Sequence, residues 1–229
     1  ASPLRDVYKR QLNHRPKTIG HSMNSNPFVT HTYSNWRNFL NDNQYFADEM
    51  KFVFRGHGNS SWELETTLDR LLSRINPQRI NLDSTYDFLL KEFIHSIRSR
   101  SGVKKDLELN DEELWCIGQH YGLSTPLLDW SKSLYVALFF AFENPTPSNT
   151  GLRSVWALNL CPYVLEEISR FNFEKDKKHH FKIIDPISDE NLRLIAQTGI
   201  FTRQPLKFSI VDWVKSTLPP DAPYPVSYT

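Results

Sequence analysis

Cysteine is scarce: the 229 residues hold two, Cys116 and Cys161, far apart and with no His or Cys at metal-ligand spacing. That argues against a zinc site and against a small disulfide-built secreted fold, and a reduced, cytoplasmic protein is the simplest reading. An excess of one charge is lacking too, since 27 basic residues face 26 acidic ones. Net charge therefore makes no case for nucleic acid or an anionic membrane as the default partner. No apolar run reaches the roughly 18 residues of a membrane span, and the first 30 residues carry no signal-peptide core. What is present, 39% hydrophobic and 13% aromatic residues, is ample for a core in one large domain or two small ones.

Both ends of the chain stand apart from the rest. Ser2 to Gln11 (SPLRDVYKRQ) resembles translated sequencing-adapter sequence, so residues 1–29 are expected to form a tail, with Met23 a candidate start. The folded domain is expected over residues 30–229. Pro219, Pro220, Pro223 and Pro225 precede a strand-like run from Val226, and a truncated C-terminus is expected there.

Between the ends, helices and interrupted strands point to an α+β domain, a small mixed or antiparallel sheet with helices packed on it. Thr32 to Leu40 reads as a short helix. Met50 to Arg55 alternates as a strand, with Phe52 and Phe54 on one face and Val53 and Arg55 on the other, so that Arg55 points into a covered cleft. Gly56 and Gly58 would then let the backbone turn sharply or approach a ligand. Ser84 to Arg100 reads as a helix capped by Ser84, and Asp111 to Tyr121 as a second with Leu114, Gly118 and Tyr121 as its buried stripe, ended by Gly122. Val155 to Leu160, Phe181 to Ile184 and the segment after Gly199 read as strands. Glu174 to His180 (EKDKKHH) reads as a solvated loop rather than a metal site.

The segment from Gln119 to Glu143 (QHYGLSTPLLDWSKSLYVALFFAFE) is the most informative. Tyr135 to Phe142 contains no charged or amide side chain, so every face of that helix is expected to be covered by protein, with Phe139 and Phe140 as costly core positions. The polar residues before it, Gln119, His120, Asp129 and Ser131, are expected to converge with Arg55 in one pocket, where buried polar groups are paired or used. Bland readings stand beside the functional ones: Arg55 and Asp129 as a structural ion pair, Ser131 as a helix cap, His120 as a hydrogen-bonded core histidine, Trp130 as a core indole with its N–H satisfied, and His57 as a loop residue.

Phe54-Arg55-Gly56, Trp62 to Arg70 (WELETTLDR), Gln119-His120-Tyr121-Gly122, Leu127 to Ser131 (LLDWS), Ala137 to Ala141 and Gln197-x-Gly199-x-Phe201, in that order, resemble the FRG domain, named for its Phe-Arg-Gly motif. The family is mostly bacterial and phage-associated, which implies toxin or phage-defence biology. Two departures stand out: Pro126 occupies the place of an arginine in the family's PTRLLDWT pattern, and the family usually continues past the point where this sequence ends, with a further strand, a helix and a Phe-Pro-Asp-Leu-like motif.

A more distant resemblance, to ADP-ribosyltransferases, implies chemistry. Phe54-Arg55 resembles the aromatic-arginine of their first strand, and Asp129-Trp130-Ser131 leading to Ala137–Ala141 resembles their serine-bearing strand end and following helix. The resemblance implies an NAD cofactor without a metal: Arg55, beside Gly56, would hold a phosphate, Ser131 would position a ribose or Arg55, and Tyr121 or Trp130 would stack on nicotinamide. Arg55, His120, Asp129 and Ser131 are the candidate catalytic residues, and Arg55, Gly56, Gln119, Tyr121, Trp130 and Gln197 the candidate cofactor contacts. A transfer from NAD needs a carboxylate, yet Gln197 and Gln204 are the nearest residues by order and neither is one. The alternative is a non-catalytic domain that recognises a nucleotide, peptide or nucleic acid in the same cleft. A nuclease-like effector lacks a paired acidic motif for Mg²⁺ near His120 and Asp129.

Overall fold

The computed structural model describes residues 29–41, 52–75, 81–99, 110–145, 149–173, 180–185, 199–204, 208–217 and 226–228. Alternating apolar residues build the strands β1 (Val29–His31), β2 (Phe52–His57), β3 (Leu127–Ser131), β4 (Ser154–Asn159), β5 (Lys182–Ile184), β6 (Gly199–Arg203) and β7 (Val226–Tyr228). They form one sheet in the order β1-β7-β4-β2-β3-β6-β5. Neighbouring strands run antiparallel except β1 and β7, which are parallel. The helices are α1 (Thr67–Ser73), α2 (Leu82–Ser99), α3 (Asp111–His120), α4 (Leu134–Phe142), α5 (Pro162–Phe173) and α6 (Ile210–Thr217), with a further helical stretch at residues 36–41. The fold is α+β, with the strands joined through helices and loops into a single domain. None of its described helices is long and apolar enough to cross a membrane.

Three packing regions cover the sheet. On the face of Val53, Leu128, Trp130, Leu158 and Ile200, α5 contributes Val164 and Ile168, and α6 contributes Ile210, Trp213 and Val214. Trp213 is fully buried and stacks on Phe181 at 4.6 Å between ring centroids. On the other face α4 lays Leu134, Ala137, Leu138 and Ala141 over Phe52, Phe54, Val155 and Ala157. Near β3 and β6, α1, α2 and α3 close around Leu68, Tyr86, Leu90, Trp115 and Phe201. Glu112 of α3 ties that corner to the sheet edge by accepting from Arg203 Nη1 at 2.9 Å and from Lys182.

The parity read for β2 holds: Phe52 and Phe54 face α4 while Val53 faces α5 and α6. Helix starts differ in detail. The α2 helix begins before Ser84, because Asn81 Oδ1 accepts the Ser84 amide at 3.3 Å, and Ser84 turns its hydroxyl back to the Asn81 carbonyl. Asn110 and Glu113 form a capping box at α3, and Thr66 and Asp69 another at α1. Gly122 ends α3 at φ +83, the left-handed conformation that favours glycine. The buried side of α3 is Trp115, Cys116 and Gly118, whereas Tyr121 is exposed, because the chain leaves the helix at that residue.

The expectation that α4 is covered on every face is overturned. Tyr135 and Phe139 are each 61% exposed, Phe142 56% and Phe140 45%. An apolar helix with no polar stripe carries no phase information in its sequence, so composition alone could not say which face would meet the sheet. The small residues decide it: Ala137 and Ala141 allow α4 to lie directly on β2, where the Gly56 backbone meets it. Phe139 and Phe140 therefore lose the status of core positions within the single chain.

Candidate functional site

Strand β2 pairs with β4 along its whole length, from Phe52↔Asn159 to His57↔Ser154, but meets β3 at one residue pair, Phe54↔Ser131. A continued ladder would set Asp129 opposite Gly56. Instead the Asp129 carbonyl accepts a hydrogen bond from Arg55 Nη1 at 2.7 Å, and the same nitrogen lies 3.7 Å from Asp129 Oδ2. By alternation Arg55 belongs to the face of Val53 and Asp129 to that of Ser131, and the two meet at the gap where the ladder stops. The Arg55 side chain is 22% exposed and that of Asp129 61%, so the crevice has an inner cation and an outer carboxylate.

His57 fixes the guanidinium from the other side. Its Nε2 accepts from Arg55 Nε at 3.1 Å, and its Nδ1 lies 3.2 Å from the Trp62 carbonyl, which makes Nδ1 the protonated nitrogen. Burial first, and the Arg55 charge second, lower the His57 pKa to about 4, against the opposing pull of the Trp62 carbonyl. Burial also lowers the Arg55 pKa, Asp129 partly restores it, and the neighbouring Arg70 charge lowers it further.

A stability consequence follows from the neutral His57. As pH falls, the unfolded chain takes up its histidine proton near 6.5, whereas folded His57 takes it up only near 4. The His57 contribution is thus fully present above pH 6.5, declines as pH falls through the interval to about 4, and levels off below it. Urea denaturation across that interval should show a slope that His57→Gln reduces; an unchanged slope would mean His57 is not held neutral.

The Asp129 carboxylate is positioned by α3. Gln119 donates from Nε2 to Asp129 Oδ1 at 2.6 Å, and its Oε1 accepts from the Thr125 hydroxyl. Thr125 is fully buried and locked to the start of α1: its amide donates to Thr67 Oγ1 at 2.9 Å, and its carbonyl accepts the Leu68 amide at 3.1 Å. Arg70, one helical turn further, donates to the Glu65 carbonyl at 2.8 Å. The result is a continuous polar chain, Thr67–Thr125–Gln119–Asp129–Arg55–His57–Trp62, buried at Thr125 and His57 and open to solvent at Asp129.

Of the residues singled out in the sequence, the structure brings together Arg55, Gln119 and Asp129. Others have different duties. His120 is exposed, meets Tyr121 edge-on at 5.4 Å, and has no hydrogen bond to Arg55, Gln119 or Asp129. Ser131 is buried and accepts the Ser133 amide at 3.0 Å in the turn before α4, whose N-cap is Ser133 rather than Ser131. Trp130 is a core residue whose indole N–H donates to Thr202 Oγ1 at 2.9 Å, which removes it as a stacking platform. A Cβ on Gly56 would lie 1.8 Å from the Ala137 carbonyl oxygen, so Gly56 serves the approach of α4 rather than of a ligand. Gln204 is buried and donates to the Leu64 carbonyl at 3.1 Å, and Gln197 lies outside the described residues. Thr67, Arg70 and Thr125 were missed, and His57, read as a loop residue, is instead buried at the end of β2. The signal for His57 was its position two residues after Arg55 on the same strand face.

A separate cleft of about 310 Å³ lies at α4, lined by Tyr33, Trp36, Phe39, Leu138, Phe142 and Arg153 among others. Arg153 there closes the C-terminal end of α4, donating to the Ala141 and Asn144 carbonyls at 2.6 and 2.7 Å.

Fold and site together define an α+β domain with an arginine crevice at a split in its sheet. Residues 50–150 match the family model for the FRG domain, a span that contains the whole polar chain from Arg55 to Asp129. Neither a curated protein nor a solved structure matches it.

Proposed function

We propose that the crevice binds the diphosphate of a nucleotide, with NAD as the cofactor and ADP-ribosyltransferase-like transfer as its chemistry, in bacterial toxin or phage-defence biology. The observation that carries this reading is the state of Arg55. Its Nε and Nη1 are held by His57 and Asp129, and its Nη2 has no hydrogen-bond partner among the described residues. A fixed guanidinium with one open donor edge suits a phosphate oxygen, and Arg70 supplies a second cation close by. Exposed Trp62, which touches His57, and exposed Tyr121, two residues beyond Gln119, offer faces for a base or nicotinamide ring.

In this reading NAD supplies the glycosidic bond that is cleaved. Asp129 is the carboxylate beside Arg55 that would offset positive charge developing at the ribose carbon as nicotinamide leaves, and Gln119 would hold that carboxylate in place. Recognition without turnover is the second reading. It is favoured by the engagement of both Asp129 oxygens, one by Gln119 and one facing Arg55, which leaves the carboxylate already compensated.

Thermal shift and nicotinamide release separate the two. A nucleotide at about a hundred times its Kd stabilises the fold by roughly 2.7 kcal/mol, or about 5–10 °C for a domain of this size. NAD and ADP-ribose should both give such a shift, with nicotinamide released from NAD and release lost in Asp129→Asn while the shift remains. A shift without release supports recognition. No shift with either nucleotide overturns both nucleotide readings.

A further inference from the structure

The residues that fail to meet the core on α4 form a surface of their own. Tyr135, Phe139 and Phe142 stand at i, i+4 and i+7, one stripe along the outer side of the helix, with Phe140 beside them at 5.6 Å from Phe139 between ring centroids. Trp36, 50% exposed, shares a cleft with Phe142 and extends the stripe. With five aromatic rings about half exposed, the patch offers on the order of 500 Å² of apolar surface. That is at the upper end of what a monomer shows, and more than half of the ~800 Å² each partner contributes to a stable interface.

We infer that this stripe is a two-fold interface with a second copy of the chain, in which two α4 helices pack antiparallel with Phe139 near the axis. Self-association by this face has no like-charge cost, because Leu134 to Phe142 carries no ionisable group except the Tyr135 hydroxyl. Antiparallel pairing sets Tyr135 of one copy against Phe142 of the other. It also brings the end bearing Lys132, itself paired with Asp185 at 2.6 Å, toward the end bearing Glu143. Arg153 already closes the C-terminal end of α4, but the first turn has no acidic residue, so the C-terminal end of an antiparallel neighbour supplies the dipole compensation missing there. A two-fold contact of this kind is isologous and closes on itself, which avoids open-ended polymers.

Sedimentation or light scattering of the whole chain tests the inference. The wild type should show a mass of roughly twice 26.8 kDa at tens of micromolar, and Phe139→Glu should run as a monomer with an unchanged circular dichroism spectrum. Phe139→Ser serves as a second, uncharged dissociating variant should Glu prevent folding. A residue near the axis also lies close to its own copy. Phe139→Cys should therefore form a covalent dimer under mild oxidation, whereas Phe173→Cys, on α5 and 91% exposed, should not. The native Cys116 and Cys161 are buried and so do not compete. A monomeric wild type, or a dimer that survives both Phe139→Glu and Phe139→Ser, overturns the inference.

Discussion

Gly56→Ala should destabilise the domain by about 3 kcal/mol or more, at or beyond the top of the range for overpacked sites, and lower its Tm by roughly 6–12 °C. The added Cβ would sit 1.8 Å from the Ala137 carbonyl oxygen and 2.8 Å from the Ala141 amide nitrogen. Both are backbone atoms of α4, so no side chain can rotate away and the helix itself must move off β2. Gly58→Ala is the internal control. Its Cβ would find its nearest neighbours at 3.8 Å, an ordinary contact, and the change should leave Tm nearly unchanged. Equal losses from both substitutions would mean that the helix–strand approach at Gly56 is not the tight contact described.

The second large effect belongs to Arg55. A charge-assisted hydrogen bond contributes about 1.5–3 kcal/mol, so Arg55→Ala should weaken NAD or ADP-ribose binding by at least tenfold and remove the nucleotide-dependent thermal shift. Arg55→Lys should recover only part of it, because a compact ammonium cannot reproduce the planar fork that reaches His57, the Asp129 carbonyl and a phosphate in separate directions. Titration calorimetry on variants whose circular dichroism matches the wild type reads this directly. Unchanged affinity in a folded Arg55→Ala protein would leave the guanidinium a purely structural group, which is the role its bonds to His57 and Asp129 already support.

The Phe-Arg-Gly triplet thus divides into three duties. Phe54 packs under α4, Arg55 fills the split in the sheet, and Gly56 lets α4 come down on the strand. The first two were legible, because strand alternation assigns Phe54 and Arg55 to opposite faces without any tertiary knowledge. The third was read as freedom to turn or to meet a ligand. A glycine required by a close helix looks the same in sequence as one required by a turn, and only the packing partner distinguishes them.

The same limit explains the site. Gln119 and Asp129 were legible as polar residues beside a buried segment, and their mutual bond followed once α3 and β3 were placed side by side. Thr125 and Thr67 carried no such mark: their roles arise from contact between segments 58 residues apart in the chain. Trp130 followed the bland alternative, a core indole, whereas Ser131 is not the helix cap: the cap of α4 is Ser133, and the Ser131 hydroxyl accepts its amide in the turn before the helix. The exposure of α4 was the largest surprise, and it arises because that helix has one narrow small-residue face for the sheet and bulky aromatic residues elsewhere.

A crystal structure of the protein with ADP-ribose tests the central reading most directly. The expected result is a diphosphate oxygen within about 3 Å of Arg55 Nη2, with Asp129 still held by Gln119 and an adenine or ribose ring against Trp62 or Tyr121. Ligand bound away from Arg55, or an empty crevice at saturating ADP-ribose, would contradict it.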